Sequence, residues 1–193
     1  MGWFLITPHP FSSMMPRIGL IFLTALLVQC GNPEKTREAH QETIPAQLQE
    51  TDNFLGSNCM YHAARITDMG DRRPSSPGYR KQLDYLKREL SKHGWECVEQ
   101  AFEAPTPQGQ TQFVNLRARY GKNPDFKTPV RGLLTCHIDT KTGIPDFTGA
   151  NDGASAAAAI LETARILSRD PTRAGQLELV FFDGEESFSQ HID

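Results

Sequence analysis

Gly132-Leu133-Leu134-Thr135-Cys136-His137-Ile138-Asp139 opens the stretch that decides the fold, and Leu177-Glu178-Leu179-Val180-Phe181-Phe182-Asp183-Gly184-Glu185-Glu186 closes it. Each is a short, mostly apolar run of strand length that ends in ionisable residues. Between them, Ala154 to Leu167 is rich in alanine and other strong helix formers, with no internal Gly or Pro. Strand, helix and strand in that order predict a right-handed crossover joining two parallel strands. In open α/β sheets the functional site lies beyond the carboxyl ends of the strands. His137, Asp139, Glu185 and Glu186 all follow such ends, and Asp152, in Gly149-Ala150-Asn151-Asp152-Gly153, sits on the crossover. The pattern predicts one acidic cleft with a single histidine in view.

Adjacent carboxylates at Glu185 and Glu186 repel unless a positive charge sits between or beside them, and a divalent metal is the usual answer. One imidazole with several carboxylates in an open site suits zinc acting as a Lewis acid. Each piece alone has an ordinary structural explanation. Asp-Gly after a strand is common turn chemistry, and paired glutamates at a helix start are favoured by the helix dipole. A lone histidine is more often a hydrogen-bonded core residue than a ligand. It is the ordered set on one crossover that favours a metal site.

Working outward, Trp95 to Phe102 and Gln112 to Tyr120 read as two strands joined by the turn-rich Ala104–Gly109. Val114, Leu116, Ala118 and Tyr120 alternate with Asn115, Arg117 and Arg119, the period of a half-exposed antiparallel strand. Upstream, Tyr79, Leu83, Leu86 and Leu90 make an apolar helical stripe stopped by Gly94, with Lys81, Lys87, Arg88 and Lys92 as its solvated face. Leu55, Cys59, Ala63, Ile66 and Met69 mark an earlier amphipathic helix ending near Gly70, whose His62 is expected to be solvated or capping. The element order predicts an α/β fold: a mixed, largely parallel central sheet with helices on both faces.

The 193 residues suffice for one substantial core, and 20 basic against 23 acidic residues give a net charge of -3 with no basic stripe, which disfavours nucleic-acid binding. The four cysteines, at positions 30, 59, 97 and 136, form neither a Cys-x-x-Cys motif nor a dense disulfide framework. Ile18 to Val28 is an apolar or neutral run after Arg17 and just before Cys30, too short to span a bilayer comfortably. Residues 1–30 are therefore expected to be an export signal, with a buried apolar helix as the other reading. Residues 31–52, dominated by charges, Gln and Thr, are expected to be a flexible tether, and 53–193 the catalytic-type domain.

Two resemblances sharpen these expectations. Leu26-Leu-Val-Gln-Cys30 resembles a bacterial lipoprotein signal, although Gln29 stands where that pattern has a small residue. It implies lipidation of Cys30 and a membrane-anchored protein facing the periplasm or the outside. Thr135-Cys-His137-Ile-Asp139-Thr-Lys141, Gly149-Ala-Asn-Asp152-Gly-Ala-Ser155 and Phe181-Phe-Asp-Gly-Glu185-Glu186-Ser-Phe188 resemble the zinc-dependent aminopeptidase-type exopeptidases. Within that superfamily they look most like the glutaminyl-peptide cyclotransferases, or glutaminyl cyclases. The likeness extends upstream through Pro74-Ser-Ser-Pro-Gly78 and through Thr106-Pro-x-Gly109 to Phe113-Val-Asn115, and runs from Asn58 to Asp193. In the animal cyclases a cysteine beside the histidine pairs with one on the following helix. Cys136 has no such partner there.

As a cyclotransferase, an acyltransferase acting on peptide or protein N-termini, the protein is expected to convert N-terminal glutamine to pyroglutamate and release ammonia. The resemblance implies zinc on Asp152 and Glu186, with Glu185 as general acid–base. In the alternative, a zinc aminopeptidase, two zincs share a bridging Asp152, His137 and Glu186 each bind one ion, and Glu185 is the base. One zinc is implied for the cyclase, two for the peptidase. Gly149-Ala-Asn-Asp152-Gly leans toward the peptidase, and Phe181 to Phe188 toward the cyclase. In the resembled family a further acidic residue and the last zinc-ligating histidine come much later than Asp193. The sequence is therefore expected to be an N-terminal portion of the catalytic domain, incomplete at its C-terminus and with little activity alone. A non-catalytic surface lipoprotein that retains the fold is the third reading.

Overall fold

A computed structural model describes residues 43–186 and 188. The expected export signal, Cys30 and most of the expected tether lie outside the described residues.

β1 (Trp95–Thr106) and β2 (Gly109–Tyr120) pair antiparallel along their full length, from Trp95 opposite Tyr120 to Thr106 opposite Gly109. The turn expected over Ala104–Gly109 is therefore only Pro107-Gln108. Pro105 does not break the strand, because β1 is an edge strand and such edges tolerate a missing N–H. β3 (Gly132–His137) and β4 (Leu177–Phe182) occupy the two apolar runs and pair parallel, with Cys136 opposite Phe181 and His137 opposite Phe182. The sheet order is β1-β2-β4-β3, with β2 and β4 antiparallel. The sheet is mixed as expected, and its parallel part among the described residues is the β3–β4 pair.

The helices are α1 (Gly56–Thr67), α2 (Pro77–Ser91), α3 (Ser155–Leu167) and a short α4 (Pro171–Ala174) that the sequence reading does not contain. Ser76 caps α2 by accepting the Tyr79 N–H at 3.1 Å, with Pro77 at the first helical position. Asp170 caps α4 in the same way through the Arg173 N–H at 3.0 Å. Leu83, Leu86 and Leu90 of α2 and Ile160, Leu161 and Ala164 of α3 bury one stripe each against Leu116, Ala118, Leu179 and Phe181 of the sheet. Trp95 joins this core and donates its indole N–H to the Ala164 carbonyl at 3.1 Å. Cys59, Cys97 and Cys136 are free thiols.

On the alternate strand positions, Glu178 is 2% exposed and accepts from Arg119 Nε at 2.6 Å and from Arg117. A carboxylate is held there only because it is paired. Strand alternation alone makes Arg119 look half-exposed, but the neighbouring β4 covers it.

Two expectations are corrected. His62 is not solvated: it is 4% exposed, with Nδ1 2.7 Å from the Tyr85 hydroxyl. Its place, three residues after Cys59 and four before Ile66, puts it on the stripe that faces α2. The end of the expected tether is also tied down. Arg165 donates to the carbonyls of Thr51 and Asn53 at 2.6 and 2.9 Å, and Asn58 exchanges hydrogen bonds with the Gln49 backbone at 2.9 and 3.0 Å. Among the described residues no helix is long and apolar enough to cross a membrane.

Candidate metal centre

Parallel pairing sets His137 and Phe182 side by side, so the loops leaving β3 and β4 open at the same end of the sheet. The connection leaving β3 returns to that end just before it enters α3. Ala150–Ala154 is a wide turn leading into α3, and Asp152 within it is extended (φ -92°, ψ 106°) rather than helical. Its Oδ1 lies 2.9 Å from His137 Nε2. Glu186 completes a group in which one donor atom from each of His137, Asp152 and Glu186 lies within 4.8 Å of the others.

Glu185 lies beside this group rather than in it, exposed, with Oε2 3.9 Å from His137 Nδ1. The four site residues proposed within 43–186 are therefore brought to one place, and Cys30 lies outside the described residues. Asp139, a potential ligand by its position after β3, takes a different part. It is fully buried and accepts the backbone N–H groups of Glu185 and Glu186 at 3.4 and 3.0 Å. Its Oδ1 also stands 3.5 Å from His137 Nδ1. Its oxygens brace the acidic turn and face the imidazole.

The carboxylates favour positive charge at this imidazole. Asp139 beside Nδ1, then Asp152 and Glu185, push His137 up to about 9. Burial and then the Asp152 carboxylate lift Glu186 above the usual carboxylate range. An imidazole nitrogen with two carboxylates in such a field is the donor chemistry of a zinc-type site, so these residues fit a metal ion.

The acidic turn is fixed from behind by residues the sequence reading did not single out as site residues. Asp183 accepts the Val114 N–H at 2.8 Å and donates its own N–H to Asn115 Oδ1 at 2.9 Å. Burial pushes Asp183 up to about 7. Gly184 then turns at φ 76°, where a Cβ would meet the Phe113 ring at 2.5 Å, so only glycine fits. The Phe113-Val-Asn115 string hinted at this clamp only through family resemblance. An open pocket of about 430 Å³, bounded by Thr135, Cys136, His137 and residues 182–185, lies alongside.

Residues 115–190 match the model of peptidase family M28. A glutaminyl-peptide cyclotransferase of Boiga irregularis is 35% identical over 135 residues, covering 61% of this chain and 36% of the relative. The chain thus spans about a third of the length of the curated relatives it matches. Among solved structures, the glutaminyl cyclase of Porphyromonas gingivalis superposes with a TM-score of 0.62 at 30% identity, over 72% of this chain and 49% of that one. A Zn-dependent exopeptidase from Parabacteroides distasonis, at 22% identity, shares the fold with a TM-score of 0.61 over 78% of this chain and 51% of its own. The chain is a homologue of the glutaminyl-peptide cyclotransferases, built on the fold of the zinc-dependent exopeptidases and carrying the peptidase family M28 pattern over residues 115–190.

Proposed function

We propose that this protein is a zinc-dependent glutaminyl-peptide cyclotransferase that converts N-terminal glutamine to pyroglutamate on the cluster formed by His137, Asp152, Glu186 and Glu185. The observation that carries the reading is the convergence of an imidazole and two carboxylates within 4.8 Å, with a further exposed carboxylate next to them. Similarity to cyclotransferases at 35% identity supports the choice of reaction.

In this reaction the α-amine of an N-terminal glutamine attacks its own side-chain amide carbon. A new C–N bond closes a five-membered lactam, the bond to the amide nitrogen breaks, and ammonia leaves. The reacting atoms are already tethered, so the protein mainly orients them and moves a proton. Asp152 and Glu186 would hold a zinc ion, which would supply Lewis acidity to the amide oxygen. Glu185 takes the proton from the attacking amine and returns it to the departing nitrogen. His137, 2.9 Å from Asp152, orients that carboxylate, and Asp139 holds the backbone from which Glu185 and Glu186 project.

One observation favours a second reading. His137 itself lies in the donor group, as a two-metal aminopeptidase would require, with Asp152 as the bridge. Incubating the zinc-loaded full-length protein with glutamine-initiated and leucine-initiated peptides separates the two. Ammonia release and pyroglutamyl product from the former, followed by mass spectrometry, are expected. Release of leucine without cyclisation would put the aminopeptidase in its place, and no reaction with either peptide would favour a binding role.

A further inference from the structure

We infer that Arg72, a residue outside the metal-binding group, positions Asp152 for metal by tying together the two ends of the single connection that runs from His137 at the end of β3 to Asp152 before α3. The inference rests on the metal-site reading proposed above. Arg72 is fully buried, and its hydrogen bonds run to both ends of that connection. Its backbone N–H donates to Thr140 Oγ1 at 2.9 Å, and its carbonyl accepts the Thr140 N–H at 3.3 Å. Thr140 directly follows Asp139. The guanidinium reaches the far end of the connection, donating to the Thr148 carbonyl at 2.6 Å and the Gly149 carbonyl at 3.3 Å, while the Gly70 carbonyl takes a third bond at 3.1 Å.

The turn around Asp152 needs such an external hold. Asp152 and Gly153 both depart from helical geometry, so the α3 hydrogen-bond ladder does not extend through them. The turn is closed instead by the Ala154 N–H donating to the Gly149 carbonyl at 3.1 Å, the same carbonyl that Arg72 grips. Packing there leaves no slack. Gly149 sits at φ 53°, and a Cβ on it would lie 2.5 Å from the Asp152 carbonyl and 3.1 Å from Arg72 Nη2.

Burying a guanidinium against carbonyls is costly unless its donors are used, and burial lowers Arg72 to about 10. An apolar side chain of similar length would fill the volume at less cost. Only the forked, planar guanidinium can grip the carbonyls of 70, 148 and 149 together, and a lysine ammonium is a single point donor.

The test compares Arg72→Met, Arg72→Lys, Arg165→Met and Asp152→Asn in the full chain. Zn²⁺ affinity is measured by competition with a chromophoric chelator, the visible spectrum of the Co²⁺ form is recorded, and thermal unfolding is followed alongside. Arg165→Met removes another buried arginine, the one paired with Glu162 at 2.6 Å away from the site, and controls for general destabilisation. Arg72→Met is expected to weaken Zn²⁺ binding roughly 10- to 100-fold and alter the Co²⁺ spectrum, as loss of a partner that orients a ligand does. Arg72→Lys should recover part of that loss, and Arg165→Met should unfold earlier yet bind Zn²⁺ as wild type does. Wild-type affinity and spectrum in either Arg72 variant, or an equal loss in Arg165→Met, overturns the inference. Wild-type affinity in Asp152→Asn would instead remove the metal-site reading beneath it. If Arg72→Met does not fold, the comparison of Arg72→Lys with Arg165→Met decides alone.

Discussion

Asp139, with no solvent exposure, accepts the backbone N–H of Glu186 at 3.0 Å, so the residue two beyond the β3 histidine fixes the start of the acidic turn beyond β4. The same carboxylate takes the Glu185 N–H at 3.4 Å and faces His137. An asparagine of the same shape has one acceptor oxygen, and its NH₂ would confront an N–H or the imidazole. Asp139→Asn is therefore expected to weaken Zn²⁺ affinity roughly 10- to 100-fold while the protein stays folded. Chelator competition is the check. Wild-type affinity in this variant would show that Asp139 is merely a core residue.

Much of this arrangement is legible in the sequence. The runs Gly132–Cys136 and Leu177–Phe182 have the length and bounding residues of strands, and the alanine-rich segment between them has the propensity of a helix, so the crossover follows. That in turn places His137, Asp152, Glu185 and Glu186 at one end of the sheet. Less legible is what each carboxylate does once there. Asp139 and Asp152 both follow the β3 run, but only tertiary packing decides that Asp139 is buried under two backbone N–H groups while Asp152 stays exposed. Arg72, in a loop with two prolines nearby, carries no local signal of burial. His62 misled because a histidine on an amphipathic stripe can face either way, and the Tyr85 hydroxyl that receives it lies on another helix.

His62 should make stability sensitive to mild acid. Burial holds its pKa down at about 4, while Glu89 and Glu162 pull upward, Lys92 and His93 push further down, and the Tyr85 hydroxyl lies against Nδ1. In the unfolded chain the imidazole takes up a proton near pH 6.5, before the folded form does. Stability is thus fully present above about pH 6.5 and falls as pH drops toward about 4, by on the order of 3 kcal/mol. Denaturant unfolding of wild type and His62→Gln at pH 7 and pH 4.5 tests this. Wild type should lose more stability across the interval, and equal losses would rule the histidine out.

Export through Cys30 is proposed from the order of Arg17, the apolar Ile18–Val28 and the cysteine. Expressed in a bacterium with residues 1–30 in place, the wild-type protein should fractionate with membranes, and Cys30→Ser should leave them or remain uncleaved. Cytoplasmic, uncleaved protein in both cases would end the proposal.

Glu185 and Glu186 are neighbours with different tasks, and their variants should separate chemistry from metal. Glu186 lies in the donor group with His137 and Asp152, whereas Glu185 stands outside it with its carboxylate exposed. Glu186→Gln replaces a carboxylate of the donor group by a neutral amide and should lower Zn²⁺ content at equal total metal. Glu185→Gln leaves Asp152 and Glu186 in place, so it should keep its Zn²⁺ yet lose roughly 100- to 10,000-fold in turnover, the usual worth of a positioned acid–base group. Metal analysis after dialysis, paired with ammonia release from a glutamine-initiated peptide in a preparation that turns over, reads both quantities. The opposite split, with Glu185→Gln losing metal and Glu186→Gln keeping it, would exchange the two roles. Full metal and full turnover in both variants would move the reaction away from this turn.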